Sequence, residues 1–353
     1  MTGMLRNLLY GGMVLARYSC GMYGGSFNPL HLGHVRCMIS AANQCDRLIV
    51  VISHGPNRRE IDIRQRYRWV YQTVKHFPHV QLFVLEDDAP TKAAYSEETW
   101  YADAEKVKQF AGEPITAVFF GDDYARDSMW SKCYPEADVV VLPRDGISST
   151  AIRRSPLACW DMMPAYVRSY YVKKVLLIGT ESTGKSTLTV SLARHYNTVF
   201  LEEVGRDISA RSGTDLWMLP EDFTDILLEH KVKQLEMISR ANRVFFEDTN
   251  CLTTLFYVNY LEGEEKEKNR KLAEAISDLN TYDLVLLLGP DVAFVQDGDR
   301  SEEIAADRAG FTALLKGMCE AHGLQVEELN GDYERRYRKA VELVDRLLEE
   351  EHD

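Results

Sequence analysis

The chain has 353 residues, 45% of them hydrophobic, and a formal net charge of −13. That length and apolar content suit two packed domains, while the acidic balance excludes a general nucleic-acid binder and leaves room only for local basic pockets around small anions. The seven cysteines form no C-x-x-C pair, so they read as reduced structural thiols rather than a zinc set or a disulfide framework, and no apolar run reaches the ~18 residues of a membrane span. A cytoplasmic protein that inserts into no membrane is expected.

Residues 1–18 (MTGMLRNLLYGGMVLARY) carry Arg6 and Arg17 around one mildly apolar patch and lack a signal-peptide cleavage pattern. They are expected to be disordered or extra, with Met13 and Met22 as alternative starts. A first domain follows over 19–156. It opens with a strand near Ser19–Met22, then alternates strands at Arg47–Ile52, Val80–Leu85, Thr116–Phe120 and Ala137–Leu142 with helices at Ile63–Lys75 and Ser96–Phe110. Such alternation predicts a parallel sheet covered on both faces. Residues 157–171, with Pro164, Trp160, Tyr166, Tyr170 and Tyr171, form a packed aromatic connector. The second domain, 172–353, repeats the pattern: strands at Lys174–Ile178, Val199–Leu201, Val244–Phe246, Leu284–Leu288 and Leu324–Val326, helices at Lys185–Tyr196, Glu221–Arg240, Leu252–Tyr260, Lys271–Leu279, Arg308–His322 and Tyr333–Leu348. The fold class is α/β, two doubly wound parallel-sheet domains: a Rossmann-like domain followed by a phosphate-loop domain.

The first domain begins with GGSFNPLHLGH at 24–34. Gly24 and Gly25 let the backbone approach a nucleotide, Ser26 and Phe27 continue that loop, and Pro29 stiffens it. His31 and His34 stand one turn apart at the mouth of a helix, where imidazole N–H groups can donate to phosphate oxygens and stabilise the charge that grows in adenylyl transfer. The string resembles the nucleotidyltransferase superfamily that transfers AMP from ATP to nicotinamide mononucleotide, phosphopantetheine or FMN. ISSTAIR at 147–153 adds a segment which that superfamily places at a helix N-terminus against ATP phosphates. It offers the hydroxyls of Ser148, Ser149 and Thr150 and the fork of Arg153. By the same resemblance Asp122 or Asp123, after a strand, lies near the adenosine ribose. Trp100 either stacks on a nicotinamide ring or packs its helix, and Arg58, Arg59 and Arg64 are either substrate-phosphate contacts or solvated.

In the second domain GTESTGKST at 179–187 fits the phosphate-binding loop G-x-x-x-x-G-K-[ST] between a strand and a helix. Gly179, Glu181, Ser182, Thr183, Gly184 and Thr187 shape it. Lys185 reaches the β/γ-phosphates of ATP, and Ser186 ligates Mg²⁺. Glu203 ends the next strand, placed to take a proton from an attacking hydroxyl, with Arg206 near phosphate. Asp248 ends the strand after that and either binds the substrate ribose or orders Mg²⁺ through water, and it rivals Glu203 as the base. Arg300, in the segment FVQDGDR, reads as a lid residue closing on the transferring phosphate.

The order of all these motifs, with Arg153, Pro156, Trp160, Pro164 and Tyr166-Val167 between the two loops, closely resembles the NadR family over roughly residues 20–348. That resemblance implies a ribosylnicotinamide kinase in the second domain and a nicotinamide-nucleotide adenylyltransferase in the first. It implies ATP and Mg²⁺ as cofactors, nicotinamide riboside, its mononucleotide and NAD as small-molecule partners, and compatibility with a homo-oligomer. Many members carry an N-terminal helix-turn-helix domain. With about 18 residues before the first strand, no nucleic-acid binding is expected here. The chain departs from the family at Asn250, where a second acid is usual, and at GSFNP in the first loop, closer to general bacterial adenylyltransferases. The alternatives are an adenylyltransferase–kinase fusion acting on pantetheine or riboflavin derivatives, and a nucleotide-sensing regulator.

Overall fold

The computed structural model describes residues 17–55, 60–87, 94–122, 129–212, 218–259, 263–295 and 302–349. The chain divides after Val167 into two compact units.

The first unit runs β1 (Tyr18–Gly25), α1 (Leu32–Ala42), β2 (Cys45–His54), α2 (Ile63–Val74), β3 (Val80–Glu86), α3 (Glu97–Ala111), β4 (Ala117–Gly121), α4 (Met129–Cys133), β5 (Asp138–Leu142), α5 (Ser149–Arg154) and α6 (Ala165–Arg168), the last crossing the division. Its sheet has the order β3-β2-β1-β4-β5 and every pair is parallel. The strands are apolar on both sides because both faces are covered. Cys20, Met22, Ile49, Val51, Val118 and Phe120 pack against Ala104, Val107 and Ala111 of α3. The alternate residues Leu48, Val50 and Ile52 are also buried, as are Cys37 and Met38 of α1 and Trp69 and Val70 of α2. The predicted connector is part of the compact structure rather than a free segment: Trp160, Met163 and Val167 are buried in a 3-10 turn and α6.

The second unit runs β6 (Lys173–Ile178), α7 (Lys185–His195), β7 (Phe200–Leu201), α8 (Val204–Ser212), α9 (Pro220–Arg240), β8 (Val244–Asp248), α10 (Cys251–Val258), α11 (Gly263–Leu279), β9 (Leu284–Leu288), α12 (Glu302–Ala306), α13 (Arg308–Ala321), β10 (Val326–Leu329) and α14 (Tyr333–Glu349). Its parallel sheet has the order β10-β9-β6-β8-β7. Leu176, Ile178, Val285 and Leu287 face α10, α11 and α13. Val175, Leu177, Leu286 and Leu288 face α7 and α14. In each sheet the chain leaves the first-formed strand in opposite directions, so β1 and β6 border the crevice at which doubly wound sheets bind ligands.

Several elements differ from the sequence reading, the short helices α4, α6 and α12 among them. Val204–Ser212 is helical, although only Val204, Ile208 and Ser209 are buried in it and the apolar period is faint. Helix α11 begins at Gly263, eight residues before Lys271, because its first turns are charged and show no apolar stripe. Strand β10 is displaced to Val326–Leu329, where its pairing with β9 sets Val326 beside Val285 and Leu329 beside Leu288.

Close packing at β1 is tested at Gly21. A Cβ there would lie 2.4 Å from Cys45 Sγ and 2.8 Å from Phe119 Cε2. Overpacking of this kind costs about 1–3 kcal/mol, so Gly21→Ala should lower the unfolding free energy of the first unit by that amount in denaturant titration, leaving the second unit's transition in place.

Candidate active sites

The loop after β1 turns sharply into α1. Phe27 has φ +48°, an uncommon conformation for a side chain of its size. Its ring is fully buried and meets the His34 ring edge-on at 5.0 Å. His31 is the N-cap of α1, and the two histidines form a reciprocal capping box. The His34 N–H donates to His31 Nδ1 at 3.4 Å, and the His31 N–H donates to His34 Nδ1 at 3.3 Å. Each Nδ1 thus faces a backbone N–H. The rings stack at 3.7 Å, and both Nε2 atoms face Arg144, whose Nη2 is 3.2 Å from His31 and 2.5 Å from His34. Two imidazoles and a guanidinium thus meet at one point, groups of the kind that donate to a phosphate oxygen. Burial first, and the Arg144 charge second, pull the His31 imidazole down to about 3, so the ring is neutral.

The ISSTAIR segment closes the other side. Ser148 caps α5, accepting from the Thr150 N–H, and Ser149 Oγ donates to the Pro29 carbonyl at 3.0 Å. Arg153 donates to the Asn28 carbonyl and, at 3.1 Å, to Thr150 Oγ1. These groups thus tie α5 to the loop after β1. Asp122 ends up at the end of β4, where its carboxylate accepts from the Arg144 N–H at 3.3 Å. Trp100 is edge-on to Trp130 at 4.8 Å and to Tyr95 at 5.0 Å. Trp130 in turn touches the place where a Cβ of Gly24 would stand, at 3.0 Å. Trp100 meets this loop through Trp130. Arg64 is turned back on Asp62 at 2.6 Å, while Arg58, Arg59 and Asp123 lie outside the described residues. The sequence reading missed Arg144. Its signal was a lone basic residue between a strand end and ISSTAIR.

In the second unit the phosphate loop connects β6 to α7. A Cβ at Gly179 would lie 2.8 Å from Thr183 Oγ1 and 2.9 Å from the Leu288 carbonyl, so only glycine fits. Ser182 Oγ accepts from the Val295 N–H at 2.8 Å, Thr183 Oγ1 donates to the Thr180 carbonyl at 2.8 Å, and Tyr257 donates to Glu181 at 3.3 Å. Lys185 Nζ folds onto the Thr180 carbonyl at 3.2 Å. Ser186 Oγ donates to Asp248 Oδ2 at 2.5 Å, and Arg206 reaches both Ser186 Oγ and Glu203 Oε2 at 3.3 Å. Asp248 is 1% exposed. Its Oδ1 has no hydrogen-bond partner among the described residues, and burial pushes its carboxyl up to about 6 against the pull of Lys185. The predicted residues Lys185, Ser186, Glu203, Arg206 and Asp248 are therefore brought together. Asn250 serves as the N-cap of α10, its Oδ1 accepting from the Leu252 and Thr253 N–H groups. Beside Gly184 and Thr187 opens a cavity of about 460 Å³, lined also by Leu188, Ser191, Tyr333 and Tyr337. Arg300 lies outside the described residues.

Two family models match the chain: cytidylyltransferase-like over residues 22–155 and AAA domain over 174–336. The chain is 28% identical over 350 residues to the trifunctional NAD biosynthesis/regulator protein NadR of Salmonella typhimurium, covering 94% of this chain and 84% of that protein. It shares its fold with a crystal structure of NadR in complex with NR (TM-score 0.80, 23% identity, 96% and 98% of the two chains). A second NadR structure, with NAD and AMP-PNP, matches at TM-score 0.77 and 23% identity, over 95% and 97%. The similarity to NadR spans both units.

The protonation of His31 has a pH consequence. An unfolded histidine titrates near 6.5, and the folded ring only near 3. Below 6.5 the unfolded chain gains a proton that the folded one refuses, so the first unit loses stability as pH falls from 6.5 toward 3. Thermal melting between pH 8 and 4 should show this loss, and His31→Asn should flatten it. The His31 carbon resonances should not move between pH 5 and 8.

Proposed function

We propose that this protein makes NAD in two steps that each use ATP: phosphorylation of nicotinamide riboside in the second unit, then adenylyl transfer to the resulting mononucleotide in the first. The observation that carries it is the pairing, in one chain with the NadR order of motifs, of a Lys185–Ser186–Asp248 phosphate site with the converging donors of His31, His34 and Arg144.

In the kinase unit the loop N–H groups and Lys185 hold the ATP phosphates. Ser186 Oγ and the buried, half-satisfied Asp248 carboxylate are the residues that would hold Mg²⁺. Among the described residues no group of three His, Cys, Asp or Glu side chains would hold a metal unaided, which is consistent with an ion that arrives with its nucleotide. Bound there, Mg²⁺ neutralises charge on the β- and γ-phosphates. Asp248 is committed to Ser186, so Glu203, one quarter exposed and paired with Arg206, takes the proton of the attacking 5′-hydroxyl. The cavity under Tyr333 and Tyr337 receives the base of ATP.

In the adenylyltransferase unit no protein nucleophile is needed. The mononucleotide phosphate attacks the α-phosphorus of ATP and pyrophosphate leaves. His31, His34 and Arg144 stabilise the charge that builds on the phosphate oxygens, while Ser149 and Arg153 keep the loop beneath them in place. Asp122 braces Arg144 through its main chain.

Mass spectrometry of products with MgATP and nicotinamide riboside tests both assignments. Wild type should yield NAD. Removing one donor from a preorganised site costs about 10²–10³ in kcat. Lys185→Ala should therefore suppress riboside phosphorylation by that factor and still convert supplied mononucleotide, while His34→Ala should accumulate mononucleotide. Mononucleotide alone from wild type would refute the reading of the first unit; neither product would refute the kinase reading, and no NAD from supplied mononucleotide would refute the other.

A further inference from the structure

Arg66 lies on α2, away from every motif, and its side chain is fully buried. A guanidinium carries five N–H donors in a rigid plane, and here both edges of that plane are used. Nε donates to the Ile61 carbonyl at 2.8 Å; Nη1 donates to the Ser26 carbonyl at 2.7 Å and to the Ser53 carbonyl at 3.0 Å. Nη2 meets His54 Nδ1 and Glu60 Oε2, each at 3.0 Å. One side chain thus joins three pieces of backbone: the nucleotide loop after β1, the end of β2, and the entry to α2. Asn28 repeats the link, its Oδ1 accepting from the Ile61 N–H at 3.1 Å.

A buried charge is a poor way to stabilise a fold, because desolvation consumes most of what its pairing returns and an apolar side chain of similar volume does as well. It is a good way to fix geometry, since the planar fork accepts partners only in set directions. Ser26 precedes Phe27, the residue held at φ +48° with its ring against His34. Fixing the Ser26 carbonyl therefore fixes the turn that carries Phe27, and Phe27 backs the imidazole whose Nε2 meets Arg144.

We propose that Arg66 is a positioning residue for adenylyl transfer: it clamps the nucleotide loop to the β2–α2 connection so that the two histidines keep their aim. This rests on the adenylyltransferase reading of the first unit. Arg66 touches no substrate and acts through Ser26 and Phe27. Lysine cannot replace it, because a single ammonium cannot reach Ser26, Ser53 and Ile61 together.

The test uses the whole chain with Arg66→Lys and Arg66→Met, below their melting temperatures, by hydrogen exchange and by steady-state kinetics. Amides of residues 24–30 should exchange at least about tenfold faster in both variants. The kinase loop at 179–187 should be unchanged and serves as the internal control. The kcat of adenylyl transfer should fall by about 10- to 100-fold, with the KM for ATP within about threefold, as expected for misplaced rather than missing groups. Wild-type exchange at 24–30 in Arg66→Lys, or acceleration spread evenly over β1 to β5, or loss of folding in both variants, overturns the proposal. If wild type transfers no adenylyl group, the reading of the reaction fails instead, and exchange at 24–30 still decides whether Arg66 holds the loop.

Discussion

A loop that points its N–H groups at phosphate must turn its carbonyls inward, where water does not reach them. Those carbonyls then need donors of their own. In both units arginines are among those donors. Arg66 takes the Ser26 carbonyl of the first loop. In the second, Arg308 takes the Ser182 carbonyl at 3.0 Å, and Arg336, 1% exposed, takes Thr183 at 2.7 Å and Gly289 at 2.9 Å. Each of these side chains also binds a second segment: the end of β2 for Arg66, the stretch after β9 for the other two. The anion sites thus depend on cations placed behind them. These supply the missing donors and add positive potential on the side away from the ligand.

That arrangement explains how an acidic chain handles polyphosphates. The net charge is −13, while on exposed helices such as α11 and α14 Glu and Lys or Arg pair along the helix and contribute little. The cations that matter are few and sit behind the loops that follow β1 and β6. The acids at the kinase site are likewise set by burial. Asp248 sits at the end of a strand buried throughout, so its carboxyl is pushed up to about 6 and favours company that restores its charge, such as Lys185 or a divalent ion. Its neighbour Glu247 points to the opposite face and is held by His230 at 2.5 Å and by Gln234 at 2.9 and 3.0 Å. Two adjacent carboxylates therefore have unrelated tasks, because successive residues of a strand face opposite sides.

The sequence alone determined the parts that local chemistry dictates. Apolar runs alternating with helical stretches required two covered parallel sheets. GTESTGKST and GGSFNPLHLGH each required glycine where the backbone approaches an anion, with the polar groups that follow placed on a helix start. His31, His34, Lys185 and Ser186 were legible because their spacing along one turn is itself the chemistry. Elements without an apolar period, such as α8 and the start of α11, left no local trace. Arg66, Arg144, Arg308 and Arg336 are ordinary letters in the sequence, and which arginine becomes a buried clamp and which stays solvated like Arg64 depends on what lies across the sheet. Only the tertiary structure decided that. It alone set Glu247 away from Asp248 and turned the hydroxyls of Ser148 and Ser149 to the cap and the loop rather than outward. The physical reason is that a hydrogen bond between segments as far apart as Arg153 and Asn28 is fixed by how the layers pack, and packing is a property of the whole chain rather than of any stretch within it.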